Sequence, residues 1–190
     1  MKLLKENYEG LPEINSLSEY FKNFLSKPEV QEALQKADFG TLYKALPPVL
    51  ASEFTELLNS LNINPLNYLD YIPIRFLANT SVKSIDIPDH ILSISNYAFF
   101  GCSMLTRITI PNSVTSIGGY AFSGCSGLAN VTIGNRVTDI GYMAFEGCRN
   151  LNYIKYMGTI DQWNRIHISS DWNGLSSIKT IHCLDGDIDL

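Results

Sequence analysis

The sequence lacks the short motifs that mark the common enzyme sites. It contains no phosphate-binding loop, no G-x-S-x-G turn and no H-E-x-x-H pair. It has three histidines, and no motif pairs one of them with a nucleophilic serine or threonine. We therefore predict no catalytic residues and no cofactor, which leaves a non-enzymatic class of protein.

Charge and long apolar runs are also sparse. Lysine and arginine number 14 against 19 aspartates and glutamates, a net charge of −5, and a scattered acidic excess is the opposite of a nucleic-acid groove. No apolar run approaches the length of a membrane span. The first residues, Met1 to Glu6, have no apolar core of the kind found in a signal peptide. We therefore expect a cytoplasmic protein without a nucleic-acid or membrane partner.

The four cysteines do not have the spacing of a metal site. No C-x-x-C pair is present, which argues against a zinc ribbon. Cys102, Cys125 and Cys148 are each 23 residues apart, so they predict one recurring core position, where a free cysteine behaves as a small buried hydrophobe. His182 and Cys183 are neighbours on a predicted strand and point to opposite faces. We predict no bound metal and reduced thiols.

What the sequence does contain is a 23-residue phrase repeated four times between Tyr71 and Ile154. A fixed period of this length is typical of a solenoid, in which each repeat packs on its neighbours. Three sets of positions recur at this spacing: Phe76, Phe99, Phe122 and Phe145; Asn79, Cys102, Cys125 and Cys148; and Val82, Leu105, Leu128 and Leu151.

One repeat predicts two extended pieces and a closing turn. Leu105 to Pro111 alternates inward and outward residues, which indicates a strand that the proline ends. Val114 to Ile117 is a second short extended piece, followed by a corner at Gly118 and Gly119. Tyr120 to Cys125 then closes the coil as a predicted helical turn. Stacked coils of this kind form a parallel sheet over a continuous apolar stripe.

The residues LTRITIPNSVTSIGGYAFSGCSGLANVTIG resemble the BspA-type leucine-rich repeat. The resemblance extends over roughly residues 71–190. It implies a right-handed leucine-rich-repeat solenoid with a parallel β-sheet, used in protein–protein contact and without catalytic residues.

The first seventy residues lie outside the resemblance and predict helices. We therefore expect an α+β chain of two domains: a helical N-terminal cap or interaction domain at 1–70, and a solenoid at 71–190. The bundle either covers the raw end of the solenoid or is itself the partner-binding element, and the two roles are compatible. The predicted helices run from Leu17 to Leu25 behind a Ser16–Glu19 capping box, from Pro28 to near Gly40, from Pro48 to Leu61 and from Pro65 to Asp70, with one further turn at Leu42 to Leu46.

The array ends irregularly, and we predict a C-terminal cap at 157–190. Leu151 and Ile178 are 27 residues apart, and the added residues contain Trp163 and Trp172. Thr159 is placed to cap a short helix. We expect both tryptophans to seal the end of the apolar stripe, and the charges of the last residues, 185–189, to discourage edge-to-edge pairing.

The outward face of the predicted sheet is the candidate binding surface. It is polar and mildly basic, and Tyr and Arg dominate interface hot spots. Its alternative interpretation is a merely solvated sheet. Two other functions fit: a phage-encoded virion component or inhibitor of a bacterial defence enzyme, in a virion or host cytoplasm, and a bacterial cell-surface adhesin. The predicted partner-binding residues are Lys83, Arg107, Asn130, Tyr153, Lys155 and His182.

Overall fold

The computed structural model describes residues 17–60 and 62–190, with side chains described from Tyr20 onward. Its described residues fall into two compact units, one ending at Leu42 and the other running from Tyr43 to Leu190. The predicted functional domains, 1–70 and 71–190, remain a prediction.

The N-terminal part is helical. Its elements are α1 (Leu17–Leu25), α2 (Pro28–Gln35), α3 (Phe39–Ala45), a 3-10 turn (Pro48–Leu50), α4 (Ala51–Ser60) and a second 3-10 turn (Pro65–Asn67). The predicted capping box at Ser16, and the predicted helix end at Leu61, lie outside the described residues. In the first unit Tyr20 stacks on Phe24 at 6.3 Å between ring centroids, and Val30 and Ala33 form the buried side of α2.

Four of the predicted helices differ from the structure in extent or type. The helix predicted from Pro65 to Asp70 is only a 3-10 turn at Pro65–Asn67. The second helix ends at Gln35 rather than near Gly40, because Ala37 takes a left-handed conformation with φ 52°. The predicted single turn at Leu42 to Leu46 is the full helix α3, whose start is stabilised by the Asp38 carboxylate accepting from Thr41 N–H at 3.0 Å. The helix predicted from Pro48 is a 3-10 turn followed by α4.

The helical residues of the second unit pack against the first coil of the array. The Tyr43 ring lies 5.4 Å from that of Phe54 and 5.8 Å from that of Phe76. Its buried hydroxyl hydrogen-bonds Thr55 Oγ1 at 2.6 Å, and burial raises the pKa of the phenol. Leu66 is also fully buried. These side chains cover part of the apolar end that the solenoid would otherwise expose.

Five coils stack to form the solenoid, and each contributes a short strand to one parallel sheet. In this short-strand sheet a buried isoleucine occupies the second strand position in the first four coils, and Ile168 occupies it in the fifth. The strands, in spatial order, are β1 (Tyr71–Ile72), β2 (Ser93–Ile94), β4 (Ser116–Ile117), β6 (Asp139–Ile140) and β8 (His167–Ile168).

A second sheet carries the longer strands. In this long-strand sheet β3, β5, β7 and β9 are parallel, and β10 pairs with β9 in the antiparallel direction. The strands are β3 (Arg107–Ile110), β5 (Asn130–Ile133), β7 (Tyr153–Tyr156), β9 (Thr180–Cys183) and β10 (Gly186–Asp189). Most of residues 185–189, whose charges we expected to discourage edge-to-edge pairing, thus form a strand themselves.

The apolar stripe between the sheets is continuous. The Phe122 ring stacks between those of Phe99 and Phe145, with centroids 5.1 Å apart on both sides. The predicted solenoid with its recurring core positions is thus confirmed. The fully buried residues of the middle coils include Leu105, Leu128 and Leu151, together with Cys102, Cys125 and Cys148.

The closing turn of each coil is not helical, so that prediction is wrong. Tyr120 and Gly124 take left-handed conformations, with φ 56° and 73°. Phe122 N–H and Gly124 N–H each donate to a carbonyl of the next coil at 2.8 Å. Alternate amides therefore bond between coils rather than along the chain, which a helix would not allow.

The first coil is shifted by one residue relative to the spacing in the sequence. Each core cysteine donates its thiol to a carbonyl of an earlier coil, Cys125 to Phe99 O at 3.1 Å and Cys102 to Leu77 O at 2.9 Å. Leu77, and not Phe76, is therefore the counterpart of Phe99. The predicted placement of Phe76 in the repeat register is wrong by one position.

The shift ends before the next strand should begin. Asn79 has φ 60° and takes the left-handed position that Gly101 holds with φ 71°, and not the position of a core cysteine as predicted. Thr106 N–H donates to Lys83 O at 3.3 Å, which restores the 23-residue spacing. The first coil therefore lacks one residue between Asn79 and Lys83. Lys83, which we predicted on the outward face of the sheet, and residues 84–87 after it are not part of the long-strand sheet.

The C-terminal end of the array contains a short capped helix and two tryptophans. Thr159 forms a full capping box with Gln162 at the start of α5 (Ile160–Trp163). The Trp163 ring lies 5.2 Å from that of Tyr156 and 6.0 Å from that of Trp172. Trp172 in turn meets Phe145 edge-on at 6.0 Å. Both tryptophans are buried, so they close the aromatic stack as expected.

Candidate functional site

The outward face of the long-strand sheet brings most of the predicted binding residues together. Arg107 lies directly beside Asn130 on the neighbouring strand, and Lys155 lies beside His182. All four side chains are exposed or half-exposed. Lys83 is exposed too, but it lies before the irregular segment of the first coil and on no strand. The structure thus places Lys83 at the edge of this face.

Tyr153 is the largest exposed side chain on the face. It is 40% exposed, and its ring meets the His182 ring at 4.8 Å and 62°. The β-strand alternation fixes this arrangement, because Ile154 and Tyr156 of the same strand point into the core. Tyr153 therefore presents an aromatic surface held by a neighbouring side chain, which suits an interface anchor.

Two aspartates that the sequence analysis did not assign to the site also lie on this face. Asp187 Oδ1 is 2.7 Å from His182 Nδ1, and Asp189 accepts from Thr180 Oγ1 at 3.4 Å. They come from β10, whose apolar pattern is too short to identify it as a strand. The face is consequently basic at Arg107 and Lys155 and acidic at the β10 end, rather than uniformly basic.

A second exposed surface, on the turn side of the coils, was also missed. The Tyr97 and Tyr120 rings stack at 4.9 Å with an interplanar angle of 3°. Tyr142 meets Tyr120 edge-on at 5.6 Å, and the Arg75 guanidinium lies 5.2 Å from the Tyr97 centroid. The signal in the sequence is the 23-residue spacing of Tyr97 and Tyr120. Because the rings stack on each other, this row offers edges and hydroxyls rather than open faces.

The cysteines are arranged as buried thiols. All four are free, and three lie fully inside the coils. Burial raises the pKa of Cys148 to about 12. The hydrogen bond of Cys125 with Cys102, together with burial, raises the pKa of Cys125. Cys183 is only half-buried; its pKa is also raised by burial and by Asp185 and Asp187. Cys125, Cys148 and Cys183 are therefore poor nucleophiles. The hydrogen bond with Cys125 lowers the pKa of Cys102, but Cys102 is fully buried.

We expect only one thiol of the native protein to react with Ellman's reagent at pH 8, and that slowly. The reacting thiol is that of Cys183, and its raised pKa keeps it mostly protonated at this pH. Cys102, Cys125 and Cys148 are buried and cannot be reached by the reagent. In guanidinium chloride all four should react. Cys183→Ser should remove the native signal, whereas two or more fast thiols in the native protein would contradict the buried arrangement.

The remaining ionisable groups form no metal site in the described part of the chain. His167 pairs with Asp139 on the short-strand sheet, at 3.6 Å, whereas His182 lies on the other sheet. Within residues 17–60 and 62–190, no group of three or more His, Cys, Asp or Glu side chains could hold a metal ion. No helix of this described part is long and apolar enough to cross a membrane.

The repeats match a family model, the BspA type leucine-rich repeat region, in six copies over residues 52–182. The chain belongs to this family. Leucine-rich repeats are typically non-enzymatic scaffolds that bind other proteins, so the family suggests a binding function. Comparison of the chain with curated proteins and with solved structures gave no match.

Proposed function

We propose that the protein binds another protein through the outward face of its long-strand sheet and has no enzymatic activity. Arg107, Tyr153 and Lys155 are the main anchors. Lys83, Asn130 and His182 surround them.

The proposal rests chiefly on the state of these anchors. Tyr153 is exposed and braced by His182. Arg107 and Lys155 form no salt bridge within the residues that the structure describes. Their charges are therefore available to a partner, and a rigid sheet holds them in place, which reduces the entropy cost of binding.

The size of the face supports a modest interface. Five strands at about 4.8 Å spacing span roughly 20–25 Å. A stable interface needs about 800 Å² on each partner, so most of the face would have to be used. A partner of ordinary size therefore extends beyond the sheet, and we propose that the helical domain at residues 1–70 contributes to the contact.

The helical domain also serves as a cap in this proposal. Support comes from the Tyr43, Phe54 and Phe76 cluster, in which helical residues cover the first coil. Because of this cluster, a truncation test should remove residues 1–42 and keep Tyr43 onward. Removal of residues 1–64 would also delete Phe54 and expose Phe76, so a loss of binding would not be informative.

A triple substitution tests the sheet face. The partner is first captured from lysate with the intact chain. Combining Arg107→Ala, Tyr153→Ala and Lys155→Ala should raise the Kd for this partner at least about 30-fold, since each anchor contributes to a hot spot. The Kd is measured with the purified partner by isothermal titration calorimetry. The three changes are on the surface, so the melting temperature should change little.

A matched control changes one tyrosine and two cationic residues elsewhere in the array. Arg136→Ala, Tyr142→Ala and Arg149→Ala alter three exposed residues that do not lie on the long-strand sheet, and binding should stay within about threefold of wild type. Equal binding by the anchor variant and the wild type would refute the sheet-face proposal.

A further inference from the structure

The first coil separates from the second along one short segment, residues 84–87. On the short-strand side the two coils pair normally, Tyr71 with Ser93 and Ile72 with Ile94. On the turn side Leu77 N–H donates to Ala98 O at 2.8 Å. On the long-strand side the two coils are joined by the Thr106 to Lys83 hydrogen bond, and residues 84–87 form no strand. The opening is therefore local and is bounded by regular packing.

This opening leaves β3 as an edge strand of the long-strand sheet. Gly134 N–H donates to Ile110 O at 2.9 Å, so the peptide of Ile110 faces β5. Peptide groups alternate in direction along a strand, so those of Arg107 and Thr109 face the opening. No backbone hydrogen bond from the first coil reaches these two N–H groups in the part of the chain that the structure describes. They are donors without a strand to pair with.

A cavity of about 450 Å³ occupies this place, within the range of about 300–1,000 Å³ typical of ligand sites. We name it the first-coil groove. One wall is the segment from Ser84 to Asp89, and the other is β3 with Pro111 and Asn112. Ile85 is half-exposed in this groove, whereas its counterpart Ile108 is buried. The groove thus combines unpaired amides with an apolar side chain that a regular coil would cover.

The charges around the groove are not neutralised. Asp86 and Asp89 are exposed and form no salt bridge within the described residues. Asp86 and Asp89 line the first-coil groove together with Thr109 and Asn112. A ligand in the groove would therefore meet the two carboxylates.

We propose that the first-coil groove binds an extended segment of another polypeptide that adds to the edge of β3 and places a lysine or arginine against Asp86 and Asp89. The segment's backbone would accept from Arg107 and Thr109 N–H, as in other cases of strand addition. Side chains alternate between the two faces of the added strand, and an apolar one on the inner face would cover Ile85. Because β3 has four residues, about five residues of the partner suffice. This site lies two strands from Tyr153 and Lys155. It shares Arg107 with the sheet face, but it uses the N–H of Arg107 rather than its side chain, so the strand pairing does not depend on the sheet-face proposal.

The test uses a fluorescein-labelled peptide with blocked termini, Lys-Ile-Thr-Val-Lys, and fluorescence anisotropy with the full chain. Wild type should bind it saturably, and the matched peptide Glu-Ile-Thr-Val-Glu at least about fivefold more weakly. Asp86→Asn with Asp89→Asn should remove this difference. Absence of saturable binding by the lysine peptide, or equal binding of both peptides to wild type, would overturn the proposal.

Two variants at one position separate strand pairing from charge. Thr109→Pro removes an N–H that faces the groove and carries no bond to the first coil, and a proline is tolerated at such a position of an edge strand. Thr109→Pro should lower the affinity for the lysine peptide at least about tenfold. Thr109→Val keeps the N–H and should keep the affinity. Unchanged affinity of a folded Thr109→Pro chain would overturn the pairing.

A measurement on the wild type covers the case in which Thr109→Pro does not fold. Saturating lysine peptide should slow hydrogen exchange at the Arg107 and Thr109 amides by at least about fivefold, and leave the amides of β7 unchanged. No protection at these two amides would overturn the proposal. So would dimerisation of the wild type that the lysine peptide fails to dissociate, because the edge would then hold a second copy of the chain.

Discussion

Phe122→Ala should lower the free energy of unfolding by about 3–5 kcal/mol, the usual cost of truncating a large buried aromatic residue. The side chain is fully buried and lies between two stacked rings, each 5.1 Å away. The backbones of Phe99 and Phe145 are held in place, because the N–H of each donates to a carbonyl of the next coil at 2.8 Å. Neither backbone can move into the vacated space without breaking this hydrogen bond. The cavity should therefore persist, and its full cost should be observed.

Urea denaturation followed by far-ultraviolet circular dichroism measures this change. For a chain of this size 1 kcal/mol corresponds to about 2–4 °C, so the melting temperature should fall by about 6–20 °C. Tyr142→Ala is the control: it truncates an aromatic side chain that is 40% exposed and should cost less than about 1 kcal/mol. Similar losses in the two variants would show that Phe122 does not hold the central core position.

The stacked core could be predicted from the sequence because its spacing is uniform. Phe122 and Cys125 recur at 23 residues in both directions, and only coils in register can bury all these side chains together. The first coil violates this rule. Phe76 keeps the spacing but Leu77 holds the core position, since the coil is one residue short before Lys83. A match in residue type cannot reveal which of two adjacent apolar residues the backbone hydrogen bonds select.

The candidate site was predictable where a strand was predictable. Alternation places Arg107, Asn130 and Tyr153 outward once the strands are assigned. Asp187 was missed because β10 contains a single apolar residue, Ile188, and its pairing comes from the hairpin with β9 and not from burial. The unpaired edge of β3 could not be predicted either, because residues 84–87 have the same alternation as a regular strand.

Trp163→Ala should also cost about 3–5 kcal/mol, because Trp163 closes the far end of the aromatic stack. It is 4% exposed and contacts both Tyr156 and Trp172. The start of its helix is fixed twice: Thr159 caps it, and the Ile160 N–H donates to the Asp185 carboxylate at 2.8 Å. With this support the helix cannot shift to fill the space, so water would reach the end of the core.

A structural seal and a ligand-binding tryptophan give opposite results in this experiment. If Trp163 seals the core, Trp163→Ala lowers the urea midpoint strongly and Trp163→Phe, which keeps an aromatic ring, loses about half as much. The chain has two tryptophans, so in both variants Trp172 is the single tryptophan, and its emission should shift to the red as solvent enters in the alanine variant. If Trp163 instead served a ligand, the alanine variant would keep the wild-type midpoint, and Trp172 would emit at the same wavelength in the alanine and phenylalanine variants. That result would require a different explanation for the C-terminal cap.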